Sequence, residues 1–263
     1  MTTLVLIATQ LVGTATHRPY VIGLLVVFLI AATRDLGTRR AVLYLAWGFT
    51  VALVAELFST RIGIPFGLYH YTGETRGAEL FVSNIPIFSP MSFPFLAYAG
   101  FCLARLALPR TWAGSRGGRV RMVLLAGLLM ALLDVVIDPL AVLGDRWFLG
   151  HVFYYPAGGV YFGVPLSNFV GWLLVGWATV GGLVAVGESG AGSPLLGVAL
   201  YGLVLLFNLG LTFWIGEWAL GGAGIVIQVT TFLLLYSISR AAGGRWPAGT
   251  LSASATSGGG RAS

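Results

Sequence analysis

The chain contains no lysine, a single cysteine and very little charge. Only 9% of its 263 residues are charged, against about 25% in a soluble domain, so it cannot cover a water-facing surface. Without lysine there is no Schiff base, which excludes a seven-span retinal protein. The lone Cys102 lies inside an apolar run and excludes an intrachain disulfide. The three histidines, His17, His70 and His151, show no HxxxH or HxxE spacing, so no metal site is expected. Acidic runs of the DDxxD type are missing, and no Gly-rich loop stands between a strand and a helix to cradle phosphate. The opening MTTLVL lacks a basic n-region, so no secretory signal is expected.

What the chain does have is hydrophobic length. Apolar residues make up 57% of it and the mean hydropathy is +0.88. Runs such as VLLAGLLMALL do not alternate, whereas a membrane β-barrel needs alternating segments of about ten residues. The expected fold class is therefore all-α, a polytopic transmembrane helical bundle. Spans are predicted at 20–33, 41–60, 91–108, 120–143, 165–186, 195–218 and 222–239. TLVLIATQLVGTA, within residues 3–16, is either an eighth span or an interfacial helix. Residues 1–240 read as one transmembrane domain, and 241–263, rich in Gly, Ser and Ala, as a disordered tail.

The net charge is +6 and all 15 basic residues are arginine. Most stand in short connections between spans, the pattern of the positive-inside rule rather than of nucleic-acid binding. Partners are thus a lipid bilayer and no nucleic acid. If the span at 41–60 leaves the cytoplasm, Arg34, Arg39, Arg40, Arg105, Arg110, Arg116, Arg119, Arg121, Arg240, Arg245 and Arg261 fall at cytoplasmic ends. Only Arg18, Arg61, Arg76 and Arg146 fall on the other side. Two connections on that other side, 61–90 and 144–164, are dense in aromatics, Gly and Pro. Interfacial aromatic belts account for Trp147 and Tyr20, but two dense clusters on one side point to a lid or pocket wall.

Four of the nine acidic residues fall in or at the ends of spans: Glu56, Asp134, Asp138 and Glu217. A carboxylate at mid-bilayer costs about 2.5–3.5 kcal/mol, so such groups face a bundle interior or a wet cavity. The alternative is a structural pair that locks helix packing. Asp134 and Asp138 are four apart and share a helix face, which Gly127 and Ala131 extend with small side chains. Pro139 removes an N–H and should kink or end the helix beside them. Two carboxyls on one dry face cannot both ionise cheaply, so one is expected to hold a proton, the state a general acid needs. Glu56 shares a face with Ala52, Ser59 and Thr60, with an interfacial role as its alternative. Glu217, close to Trp214 and Trp218 and opposite Asn208 on a regular helix, is a second-tier candidate. Asn84 and Asn168 are candidates to orient water, or else turn and cap residues.

Three stretches together, ELFSTRIGIPFGLYHY (56–71), LLDVVIDPLAV (132–142) and YFGVPLSNFVGW (161–172), resemble the membrane family of carotenoid biosynthesis that includes the bacterioruberin-type and 1'-hydroxylating carotenoid hydratases. The resemblance covers residues 40–240. It implies addition of water to the terminal double bond of an acyclic carotenoid, giving a tertiary alcohol with no cofactor and no metal. A carboxylic acid must protonate the less substituted carbon, and the tertiary cation must be shielded until water attacks. On this reading Asp138 is the acid, Asp134 tunes it, and Glu56 or Asn168 places water. Tyr69, Tyr71, Tyr154, Tyr155, Tyr161 and Phe162 supply the aromatic wall. Expected partners are the carotenoid substrate and other membrane enzymes of the carotenoid pathway. Two rival readings stand beside it: an acid-initiated lycopene-type cyclase, which needs the same acid and aromatic wall but keeps water from the cation, and a non-catalytic carotenoid- or lipid-binding protein.

Overall fold

In hydrocarbon every backbone polar group must be satisfied internally, so each long apolar run closes into a helix. The computed structural model describes residues 3–109, 115–146, 150–185 and 192–241. Among them are eight α-helices: α1 (Thr3–His17), α2 (Pro19–Leu36), α3 (Thr38–Ile62), α4 (Phe88–Ala107), α5 (Arg116–Ala141), α6 (Leu166–Ala185), α7 (Leu195–Trp214) and α8 (Trp218–Ala241). Six of them, α2, α3 and α5–α8, are long and apolar enough to cross a membrane. The protein is an integral, multi-pass membrane helical bundle.

α4 occupies the centre and touches α2, α3, α5, α6, α7 and α8. Fifteen of its 20 residues are buried. That placement explains its composition: a helix surrounded by other helices can carry Ser89, Ser92 and two prolines without presenting them to lipid. Small residues set the closest approaches. A Cβ on Gly127 of α5 would collide with Trp177 of α6, and one on Gly100 of α4 would come within 2.6 Å of the Ala126 carbonyl of α5.

α1 is 15 residues long, about 22 Å at 1.5 Å per residue, and falls short of a hydrocarbon core of about 30 Å. Thr14 anchors it by accepting the Leu80 N–H at 3.0 Å. The predicted span at 195–218 is shorter than expected, because Gly216 at φ +83° turns the backbone left-handed and separates α7 from α8. α5 continues only two residues past Pro139. Trp147 and the tail at 242–263 lie outside the described residues.

The aromatic connections are not independent loops. β1 (His70–Tyr71) pairs antiparallel with β4 (Phe153–Tyr154), while β2 (Phe81–Val82) and β3 (Ile85–Pro86) form a hairpin within the first connection. Thr72 reinforces the first pairing: its N–H donates to Val152 O at 3.0 Å and its hydroxyl to His151 O at 2.5 Å. Both connections therefore form one roof, over the end of the bundle where α3, α5 and α7 finish and α2, α4 and α6 begin. Arg34, Arg39, Arg40, Arg105, Arg116, Arg119, Arg121 and Arg240 lie toward the opposite end.

Candidate active site

Under that roof is a cavity of about 130 Å³, lined by residues from α2, α3, α4, α5, α6 and α7 together with the two connections. One water needs about 10–15 Å³ on this kind of measure, so there is room for the end of an apolar chain together with water. Its walls are mostly hydrocarbon and aromatic rings, broken by two groups of polar residues.

The first group stands where α5 meets α6. The i, i+4 spacing does place both aspartates on one face of α5, and α6 answers with Asn168 and Trp172, also four apart. The Asn168 amide nitrogen donates to Asp134 Oδ2 at 2.6 Å and to Asp138 Oδ2 at 2.8 Å. Trp172 Nε1 donates to the same Asp138 oxygen at 3.0 Å. Asp134 Oδ1 accepts the backbone N–H of Asp138 at 3.2 Å. Asp134 is fully buried behind the cavity wall, whereas Asp138, Asn168 and Trp172 line the cavity itself. Stacking of Trp172 on Phe93, with centroids 4.6 Å apart, fixes the indole.

The second group stands on α3 and α4. Ser89 donates to Glu56 Oε1 at 2.7 Å, and the Tyr71 hydroxyl lies 3.1 Å from Glu56 Oε2 and 2.7 Å from Ser89 Oγ. Glu56 is 1% exposed and lines the same cavity as Asp138. Two carboxyl groups from different helices thus face one apolar chamber.

Rings close the chamber. Tyr69 lies edge-on to Tyr71 (5.5 Å) and Phe153 (5.6 Å) and tilted against Tyr155 (5.7 Å), and Phe66 adjoins Phe93 at 5.6 Å. Strand pairing decides which aromatics participate. Tyr71 sits opposite Phe153, and His70 opposite Tyr154. Successive strand side chains point to opposite faces, so Tyr71, Phe153 and Tyr155 line the cavity while Tyr154 turns outward against His70.

Several sequence-derived site residues therefore lie elsewhere. Tyr154 is outside the chamber for the reason just given. Tyr161 and Phe162 occupy a tight turn before α6, stacked edge-on to each other, with Tyr161 also against Phe169. Asn84 is in the turn of the β2–β3 hairpin, beside Ser83. Glu217 forms an ion pair with Arg146 at the α7–α8 junction. In the other direction, Tyr20 is not a belt residue: it lines the cavity and stacks on Phe207. Ser89, Ser92, Phe93, Phe153, Trp172 and Asn208 also line it without having been singled out. The signal for Ser89, Ser92 and Phe93 is their i, i+3, i+4 spacing in SPMSF, which marks one helix face.

The arrangement is that of a membrane helical bundle in which two carboxyl groups, Asp138 and Glu56, face one apolar, aromatic-lined chamber. The chain belongs to the carotenoid biosynthesis protein family, which matches it over residues 15–235. A bisanhydrobacterioruberin hydratase of Haloarcula japonica is 32% identical over 147 residues, covering 56% of this chain and 45% of that relative. The match therefore spans less than half of the relative's length. No solved structure matches the chain.

Proposed function

We propose that the protein is a carotenoid hydratase of the cell membrane, adding water across the terminal double bond of an acyclic carotenoid. The observation that carries this reading is the placement of Asp138 and Glu56 on different walls of one apolar cavity. Asp138 delivers a proton to the less substituted alkene carbon, leaving a tertiary cation on its neighbour. Asn168 and Trp172, both hydrogen-bonded to Asp138 Oδ2, orient that carboxyl, and Asp134 holds Asn168 from behind. Glu56, with Tyr71 and Ser89, positions water and takes up its proton as the new C–O bond forms. Proton uptake and release balance, so the chemistry requires no oxidant or reductant. The rings of Phe66, Phe93, Trp172, Tyr69 and Tyr155 line the chamber, and a π face turned toward the cation stabilises it.

The polar group around Glu56 favours hydration over cyclisation, since a cyclase must exclude water from the cation. Expression in a host that makes acyclic carotenoids, followed by mass analysis of the pigments, tests the reading. The product is expected to be heavier by one water, and heavy-oxygen water should label the new hydroxyl. A pigment isomeric with its precursor would support the cyclase, unchanged pigment a carrier, and label arriving from oxygen gas would exclude hydration.

A further inference from the structure

A cavity of about 130 Å³ holds only the end of a carotenoid, so the rest of that long, stiff chain must leave through one of the walls. The roof is a poor exit for hydrocarbon. Its two connections are joined by main-chain hydrogen bonds, and beside it Arg18 pairs with Glu79 at 2.9 Å. The α5–α6 wall is closed at the chamber by the hydrogen bonds of Asn168 and Trp172 to Asp138 and farther along by Gly127 on Trp177, while Gly171 on Phe66 closes α6 against the first connection. Gly224 of α8 fits against Val136 of α5 and Leu209 of α7 in the same way. At each of these glycines an added Cβ would meet another group at 3.1 Å or less.

The seam between α2 and α7 is built differently. Tyr20, Val21 and Leu24 of α2 and Val204, Phe207 and Asn208 of α7 all line the cavity. Here the two helices meet through a parallel ring stack, Tyr20 on Phe207, with centroids 5.3 Å apart and planes 15° from parallel. Tyr20, Leu24 and Phe207 are only half-buried, and their helix neighbours Gly23, Val26, Leu203 and Leu206 are exposed on the outer face. One layer of side chains therefore separates chamber from lipid. No glycine contact locks α2 to α7 at this level: Gly23, Gly202 and Gly210 have nothing within 4 Å of an added Cβ. Near its other end α7 is held firmly, by Gly197 against Cys102 and Tyr98 of α4.

We infer that the α2–α7 seam is the binding site for the polyene body of the substrate, with Tyr20 and Phe207 gripping the chain next to its reacting end. This rests on the hydratase reading for the identity of the ligand, an acyclic carotenoid. A chain lying in the seam keeps its hydrocarbon in the bilayer and presents only its terminus to Asp138. Flat aromatic faces suit a conjugated polyene, which is itself planar and rigid. Tyr20 and Phe207 are thereby specificity-determining residues, selecting a rigid, planar conjugated chain over a flexible saturated or ring-ended lipid.

The test uses a Cys102→Ala protein carrying Tyr20→Cys and Phe207→Cys, purified in detergent and supplied with an acyclic carotenoid. Turnover is measured before and after bridging the two thiols with a short bis-thiosulfonate, the bridge being verified by intact mass. Turnover should fall to background on bridging and return to its starting rate on reduction. Full turnover in the bridged protein would overturn the inference. Should the double variant be inactive from the start, photocrosslinking decides. A benzophenone side chain replacing Leu24 in Asp138→Asn protein should form an adduct with added carotenoid, and one replacing Val26 should not. No adduct at Leu24, or one at Val26 alone, overturns it. If wild-type protein yields no hydrated pigment but the Leu24 adduct forms, the hydratase reading fails and the polyene site stands.

Discussion

Trp172 donates its indole N–H to Oδ2 of Asp138 across the α5–α6 interface, at 3.0 Å. The same ring is stacked on Phe93, so one side chain joins the aromatic wall to the acid. Trp172→Phe should preserve much of the stack and lose the hydrogen bond. Hydrogen bonds to charged groups are worth about 1.5–3 kcal/mol, so conversion is expected to fall about 10- to 100-fold, measured as hydrated pigment per folded protein. Unchanged conversion would detach Trp172 from the chemistry.

Asp138→Asn and Asp134→Asn separate the acid from its support. Groups that transfer protons contribute about 10²–10⁴-fold in rate, and Asp138→Asn should lose that much while still inserting and folding. Asp134, behind the wall and linked through Asn168, acts as a positioning residue. Its substitution should lower turnover less and leave carotenoid affinity near normal. Equal, near-normal turnover in both variants would reduce the pair to a packing element.

Glu56 and Tyr71 form the arm assigned to water. Glu56→Gln should depress hydration about 10²–10⁴-fold, and Tyr71→Phe, which removes only one partner of Glu56, should depress it less. Both should keep binding the carotenoid, read from its absorption in the purified protein. Loss of bound pigment in both variants would instead mark this arm as part of the substrate cradle.

The ion pair of Arg18 and Glu79 is buried on both sides, at 3% and 0% exposure, with the Arg18 guanidinium 4.3 Å from the Phe88 ring centroid. Removing one partner of such a pair costs about 3–5 kcal/mol, because the other charge is left uncompensated. Arg18→Met should therefore lower the thermal unfolding temperature in detergent more than Arg18→Met combined with Glu79→Leu. The reverse order would show that Glu79 stabilises the fold without Arg18, so that the pair is not what holds it there.

The arginine-rich end is expected to face the cytoplasm and the roofed chamber the outside. In a Cys102→Ala background, Glu74→Cys in the first connection and Gly117→Cys at the start of α5 are both at exposed positions. An impermeant thiol reagent on intact cells should label position 74 and spare position 117. Labelling at 117 alone inverts the placement.

The helices α2, α3 and α5–α8 are legible in the sequence as long apolar runs, and α4 as an apolar run that packs against helices rather than lipid. Asp134 and Asp138 are legible because a four-residue spacing has one meaning on a helix. Other parts depend on partners far along the chain. In FYY at 153–155 every residue is aromatic, so nothing local reveals that the middle ring turns away; pairing with His70–Tyr71 decides it. Ser89 looks like an ordinary helix-start residue and Trp172 like an ordinary packing residue within α6 until Glu56 and Asp138 are brought to them. Tyr20 reads as an interfacial anchor because its stacking partner, Phe207, belongs to a distant helix.

The central position of α4 bears on how the protein is made. It supplies Ser89, Ser92 and Phe93 to the chamber but is absent from the six helices apolar enough to cross by their own composition. Its place in the bundle therefore depends on the six helices that surround it more than on contact with lipid. Its companions α5, α6, α7 and α8 are all synthesised after it. The ribosome thus releases the core of the bundle before most of its shell, and the burial of α4 is completed only when the later helices pack around it.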